Sequence, residues 1–272
     1  MSDVAPILTV NHLAIHFGEE PHLLKAVDDV SFTVGKGETV AVVGESGSGK
    51  SISALALTRL APRAAKYAGG EVLFNNQNLL DLSDRELREI RGSKISYIFQ
   101  EPMVSFNPVF TIGWQIEEAL KLHRKGINRK AEVKRLLEAV HLPARLAKSY
   151  PHQMSGGQLQ RCMIAMALAC SPDLLVADEP TTALDVTVQR EILELLAELS
   201  REQNLSVLMI THNFGIVGQL ANRVYVMQRG KLVESGTTKE VLYNPQHPYT
   251  KQLMAAVPRL HPNKKEPHGT VA

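Results

Sequence analysis

Thr39-Val40-Ala41-Val42-Val43-Gly44-Glu45-Ser46-Gly47-Ser48-Gly49-Lys50-Ser51 is the stretch that decides the fold. An apolar, β-branched run, Thr39 to Val43, passes straight into a glycine loop, and Ile52 to Leu60 then reads as helix. Strand, loop and helix in that order are the context in which G-x-x-x-x-G-K-S cradles phosphate. Glycines at positions 44, 47 and 49 let backbone N–H groups turn inward, and the N-terminus of the following helix adds positive potential. In that context Lys50 reaches the β- and γ-phosphates, the Ser51 hydroxyl ligates Mg²⁺, and the loop residues Glu45, Ser46 and Ser48 line the phosphates.

Working outward, a second acidic element appears at Leu174-Leu175-Val176-Ala177-Asp178-Glu179-Pro180. Four apolar residues of the kind that form a buried parallel strand end in two carboxylates, and ligand sites of open α/β sheets lie at that strand edge. Asp178 can hold Mg²⁺ through its water shell, and Glu179 can orient or deprotonate an attacking water. A solvated Asp-Glu pair ahead of a proline is the plain alternative, and the phosphate loop weighs against it.

Composition bounds the class. The chain has 272 residues, 44% hydrophobic and 21% charged, enough to bury a core and unlike a disordered protein. A net charge of +2 demands no nucleic-acid partner. The longest unbroken apolar run, Cys162 to Cys170, is nine residues, against about 20 for a spanning helix. Met1-Ser2-Asp3 opens no basic-then-apolar secretory pattern. If Cys162 and Cys170 share one helix they stand about 12 Å apart, too far for a disulfide, and a reducing compartment fits.

The first third reads as strands, Ile7 to Val10, Ala26 to Val34 and Thr39 to Val43, with a hairpin over 69–80 turning at Asn75-Asn76. From about Asp84 to Leu146 the texture becomes charged and helical, broken at Pro102, Pro108 and Pro143, although Ile95 to Phe99 reads as a strand. Helix Val188 to Ser200, strand Val207 to Ile210, and strands Val224 to Met227 and Lys231 to Val233 around Arg229-Gly230 follow. The polar stretch His261 to Ala272 reads as a disordered tail. Alternating strands and helices predict an α/β fold: a phosphate-loop NTPase (RecA-like) core with an inserted α-helical subdomain and an N-terminal antiparallel β portion.

A further signal is Met154-Ser155-Gly156-Gly157-Gln158-Leu159-Gln160-Arg161, ahead of a helix apolar nearly all round. Ser155 is a good N-cap, and the glycines leave helix amides open to an anion. Ser-Gly-Gly that merely starts a core helix is the plain reading, yet a second anion site far along the chain exceeds what one nucleotide needs. Glycine loop, Ser-Gly-Gly-Gln and Asp-Glu-Pro, followed by Ala183-Leu184-Asp185 and Thr211-His212, resemble the ATP-binding subunit of an ABC transporter. Tyr150-Pro151-His152, the run Asp178 to Gln189, and His247-Pro248-Tyr249 resemble its peptide and nickel importer branch, the dipeptide, oligopeptide and nickel permeases. The similarity runs from about Ile7 to Leu260.

The resemblance implies ATP and Mg²⁺ as ligands and a nucleotide-sandwich dimer, with each ATP between one subunit's phosphate loop and the other's signature. On that likeness Ser155, Gly156, Gly157 and Gln158 contact the γ-phosphate held by the partner. Gln100 touches Mg²⁺ and the attacking water, His212 holds the γ-phosphate, and Asp185 crosses the dimer interface. Phe17 is the candidate for stacking on adenine, a core Phe being the alternative. The implied partners are a second ATP-binding subunit (a related but distinct chain), two membrane permease subunits and, indirectly, an extracytoplasmic substrate-binding protein, with no nucleic acid. The implied place is peripheral, at the cytoplasmic face of the inner membrane. Residues 1–86 would form the first part of the ATP-binding core, 87–165 the helical subdomain, 166–230 the second part and 231–272 a C-terminal extension.

Departures from the pattern are Asn213 where Asp is usual, Glu101 for Asp and Met154 for Leu. Many peptide-type relatives carry a C-terminal cysteine cluster for an iron–sulfur centre; no cysteine follows Cys170, which favours nickel or metal-chelate cargo somewhat. Lys121, Arg124, Lys125, Arg129, Lys130, Lys134 and Arg135, against only Glu132, read as a solvated helix face, with anionic headgroups or nucleic acid as weaker readings. Met163 and Met166 read as core fillers. The rival from another class is a soluble ABC-type ATPase acting in DNA repair or translation, which would carry two ATPase units or a long coiled coil.

Overall fold

A computed structural model describes residues 6–182 and 184–256. Its strands are β1 (Pro6–Phe17), β2 (Leu24–Gly35), β3 (Thr39–Val43), β4 (Lys66–Phe74), β5 (Gln77–Asn78), β6 (Ile95–Ile98), β7 (Leu174–Asp178), β8 (Ser206–Thr211), β9 (Arg223–Gln228) and β10 (Lys231–Thr237). The α-helices are α1 (Lys50–Ala56), α2 (Asp84–Ile90), α3 (Pro102–Ser105), α4 (Ile112–His123), α5 (Arg129–Ala139), α6 (Gly156–Ala167), α7 (Val186–Gln203), α8 (Phe214–Leu220), α9 (Thr238–Tyr243) and α10 (Pro248–Ala256).

Six strands form one sheet in the order β10-β9-β3-β8-β7-β6, and β6, β7, β8, β3 and β9 run parallel. These strands are apolar runs because both faces are covered. Successive residues of β7 go to opposite sides: Leu174 and Val176 pack with the N-terminal strands, Leu175 and Ala177 with the helices. The N-terminal strands make a separate antiparallel sheet, β2-β1-β4-β5, as the sequence suggested. Its hairpin turns at Asn75 and Asn76, both at positive φ (47° and 64°), a conformation that Asn tolerates.

Helices α4, α5, α6 and α7 share one apolar core with the far face of the sheet. The stretch 87–165 is therefore not purely helical: β6 lies within it and pairs with β7, since its residues Ile95 and Ile98 are fully buried against the sheet. The helical layer begins after β6, at Pro102. Two further expectations shift. Helix α1 stops at Ala56 rather than Leu60, because Arg59 turns to positive φ (54°) and Arg91 takes the Thr58 carbonyl. Helix α6 ends at Ala167, so Cys170 lies beyond it; both cysteines are free. The stretch His261 to Ala272 lies outside the described residues.

Parallel pairing brings strand ends level. Val43 stands beside Thr211, Asp178 beside Ile210 and Ile98 beside Ala177, so the loops after β3, β6, β7 and β8 open at one sheet edge.

Candidate nucleotide site

The phosphate loop follows β3. At its end Gly49 takes φ 103° as N-cap of α1, and a Cβ there would run into the Ala26 carbonyl, so only glycine closes this turn. No side chain caps α1, which leaves its first amides to an outside acceptor. Lys50 is buried, and its Nζ donates to the Gly44 carbonyl at 2.8 Å and the Glu45 carbonyl at 2.7 Å. Burial pulls the Lys50 ammonium below its ordinary value, against the pull of Glu179, Asp178 and Glu45.

The Ser51 hydroxyl donates to Asp178 Oδ1 at 2.9 Å, so the two oxygens of the expected Mg²⁺ site meet. Burial raises the Asp178 carboxyl; the Ser51 hydrogen bond and Lys50 oppose it, and the neighbouring Glu179 charge adds to the rise. An aliphatic hydroxyl and one carboxylate are hard oxygen donors, few enough to leave positions for phosphate and water, and they fit Mg²⁺.

Glu179 is the hub. It follows β7 at φ 46°, in the left-handed region that is uncommon for a non-glycine residue. His212 Nδ1 lies 3.0 Å from Glu179 Oε1; Thr182 Oγ1 and Gln100 Nε2 donate to Oε2 at 2.8 Å and 3.2 Å. Burial raises this carboxyl, but the hydrogen bonds from His212 and Thr182 and the charges of His212 and Lys50 outweigh it, so it rests below the usual range. Sequence reasoning misses Thr182: it sits inside the Asp178 to Gln189 run, but only the turn after Pro180 shows that its hydroxyl folds back.

Gln100, Glu179, Thr182, His212 and the phosphate loop line one open cleft of about 750 Å³. Phe17, half-buried, lines the same cleft with Leu24 and Ala26. Ser155, Gly156, Gly157, Gln158 and Asp185 are not among the residues lining it. Ser155 instead caps α6 in a reciprocal pair: its Oγ accepts from the Gln158 amide at 3.2 Å, and Gln158 Oε1 accepts from the Ser155 amide at 3.1 Å. Gly157 closes on α7, where a Cβ would stand 2.7 Å from Val188 Cγ1. Asp185 caps α7, with Oδ1 3.0 Å from the Val188 amide, and is exposed. Asn213 caps α8, its Oδ1 accepting from the Gly215 amide at 2.9 Å, a bond that Asp would accept equally.

The sequence model of the ABC transporter family matches residues 27–182. The chain belongs to the ABC transporter family. A second model, "Oligopeptide/dipeptide transporter, C-terminal region", matches residues 233–272. Dipeptide transport ATP-binding protein DppD of Bacillus subtilis (strain 168) is 50% identical over 266 residues, 96% of this chain and 79% of that protein. Glutathione import ATP-binding protein GsiA of Escherichia coli (strain K12) is 46% identical over 95% of this chain, which spans only 43% of GsiA. Among solved structures, a dimeric ATP-binding cassette in a post-hydrolysis state bound to ADP and Pi superposes with TM-score 0.76 at 30% identity, over 85% of this chain and 98% of that one. This ABC chain thus has the ATP-binding cassette fold and is the ATPase of a transporter; the reading as a DNA-repair or translation ATPase gains no support from these likenesses. Among the described residues no helix is long and apolar enough to cross a membrane.

Proposed function

We propose that this ATPase drives uptake of di- and oligopeptides through two membrane permease subunits, as one half of a nucleotide-sandwich pair. One observation carries the reading: the cleft gathers the phosphate loop, Gln100, Glu179 and His212, while the Ser155-Gly156-Gly157 helix end and Asp185 face elsewhere on the same chain. The signature of a second subunit, a related but distinct chain, completes the site.

Lys50 leaves the Gly44 and Glu45 carbonyls to meet the β- and γ-phosphates, and Phe17 stacks on the adenine. Ser51, Asp178 and Gln100 would hold Mg²⁺, which would neutralise phosphate charge when bound. Glu179, kept ionised by His212 and Thr182, orients the attacking water and accepts its proton. His212, freed from Glu179, turns its ring to the γ-phosphate, and the signature of the partner subunit approaches from the other side, while Ser155, Gly156, Gly157 and Gln158 of this chain serve the nucleotide held by the partner. A loose transition state asks more of positioning and charge stabilisation than of proton abstraction.

Directly after Gln100 the chain exposes Met103, Val104, Val109, Phe110 and Trp114, with the Phe110 and Trp114 rings stacked at 4.0 Å. So many exposed apolar side chains suit a contact surface; we assign it to a membrane subunit and take the chain to sit peripherally at the cytoplasmic face of the inner membrane. Import is taken to start from an extracytoplasmic binding protein that delivers cargo to the permease. Uptake of labelled dipeptide and of Ni²⁺ by the assembled complex in vesicles tests the reading. ATP-dependent dipeptide uptake is expected; Ni²⁺ uptake alone, or turnover stimulated by DNA with no membrane partner, would overturn it.

A further inference from the structure

His247-Pro248-Tyr249, a mark of the importer branch in sequence, reaches the phosphate loop in space. Glu45 donates its backbone N–H to the Tyr249 hydroxyl at 3.0 Å, across 204 positions of sequence. The same residue is held on its other side, where the Glu45 carbonyl accepts from Lys50 Nζ at 2.7 Å and from the Ser48 amide at 3.2 Å. A second strut arrives from the turn between β9 and β10, where Gly230 donates its N–H to the Ser48 carbonyl at 2.9 Å. The loop's first turn is thereby gripped from the C-terminal third of the chain.

The grip is itself anchored. The Glu234 carboxylate on β10 accepts from the Gln246 amide at 2.7 Å and the His247 amide at 3.1 Å, which fixes the start of α10 against the sheet. His247 Nδ1 then accepts from the Tyr249 amide at 3.2 Å, and Pro248 opens the helix at a position where no N–H is needed. The three residues divide the work, since His247 caps, Pro248 starts the helix, and Tyr249 points its phenol at the loop. Tyr249 is buried in one apolar cluster with Val43, Phe214, Val226 and Val241, which phenylalanine would join as well; only the hydroxyl needs tyrosine. One turn further on, Leu253 lines the nucleotide cleft itself.

We infer that Tyr249 is a positioning residue for the phosphate loop: its hydroxyl, delivered by α10, holds the Glu45 amide so that the loop stands preformed for a nucleotide phosphate. The inference rests on the cleft being the ATP site. Preorganisation acts on binding, so loss of the hydroxyl weakens ATP while the chemistry, run by Glu179, His212 and the partner signature, keeps its rate.

The test is Tyr249→Phe in the full chain, with two readouts. Without nucleotide, amide hydrogen exchange over 44–48 is expected to speed up about fivefold or more while the melting temperature stays within about 5 °C of the parent, since one hydrogen bond is lost and ring packing is kept. With MgATP, KM is expected to rise about three- to tenfold at a kcat within about twofold of the parent in the assembled complex. Unchanged exchange over 44–48 in a variant that melts like the parent overturns the inference, whatever the cleft binds. A slower kcat at unchanged KM overturns it as well, because the hydroxyl would then act in the chemistry. Lys50→Ala separates the two levels: if it leaves ATP affinity intact, the reading of the cleft falls and takes the KM expectation with it, while the exchange readout still decides whether Tyr249 holds the loop.

Discussion

Two helices in this molecule begin after glycines or on them, and they are built in opposite ways. At α1 the glycine cap carries no side-chain acceptor, the loop ahead of it is wedged between Ala26, Met227 and Gly230, and Lys50 is buried. At α6 the Ser155–Gln158 capping box already satisfies one amide of the helix and the Ser155 N–H, and Ser155 and Gly156 face solvent. On the proposed reading the first is an anion cradle that lacks only the signature of a second subunit. The second is a rigid, outward-turned edge with two glycine amides to spare. In that reading the concave half of one chain meets the exposed half of another.

The sharpest way to break this contrast is Glu179→Gln, which touches only the cleft. ATP binding should persist while hydrolysis at the site formed by this chain's phosphate loop falls about 100-fold or more, read by single-turnover phosphate release of ATP bound there. Near-normal turnover would remove Glu179 from its role. Ser155→Ala touches only the edge. A single chain should bind ATP within about twofold of the parent, yet hydrolysis at the partner's phosphate loop, which this edge faces, should drop at least about tenfold, as for a lost donor to a developing charge. The lost cap should also cost about 1 kcal/mol of stability, read by urea unfolding. If Ser155→Ala instead weakened ATP binding by the lone chain, the two regions would not be separate.

The layer that carries the edge is pinned by ions. Arg135 and Arg124 both reach Glu132, at 2.7 Å and 2.8 Å, and Arg124 also donates to the Ala169 carbonyl beyond α6. Arg135 first, and Arg124 after it, hold the Glu132 carboxyl below the ordinary range, against burial. A depressed carboxyl stabilises the fold above the ordinary Glu value and loses that contribution as pH falls through its native value. Glu132→Gln should therefore destabilise by about 1–2 kcal/mol at pH 7, with the gap to the parent closing in acid, measured by urea unfolding across pH. The smallest expected signal comes from the cysteines. Burial pushes the Cys162 thiol up to about 12 and raises Cys170 less, so a thiol reagent at pH 8 should modify Cys170 first and Cys162 only on unfolding, counted by mass spectrometry.

What can be read in the chain alone follows a physical divide. The sheet and the cleft residues are legible because each rests on a local pattern: an apolar run, then a loop of fixed spacing, then a helix. Parallel pairing does the remaining work, since strand ends that are level bring Gly44, Gln100, Asp178 and His212 to one edge. Contacts set by distant segments are not legible. No local rule shows that Arg91 ends α1 by taking the Thr58 carbonyl, or that Tyr249 reaches Glu45. Thr182 stays hidden for a subtler reason: a threonine in a turn carries no sign of which way its hydroxyl points, and the left-handed Glu179 decides that. The basic residues near α5 are only partly a solvated face, because Arg124 and Arg135 share Glu132.

The claim at the centre is that hydrolysis needs two chains. Its most direct test is the ATPase rate of this chain held as a single copy, with sedimentation run in the assay buffer to verify the 30.0 kDa species. The account predicts ATP bound but phosphate release at background, rising only when the second ATPase subunit is added. Full-rate hydrolysis by the lone chain, unchanged by Ser155→Ala, would contradict it.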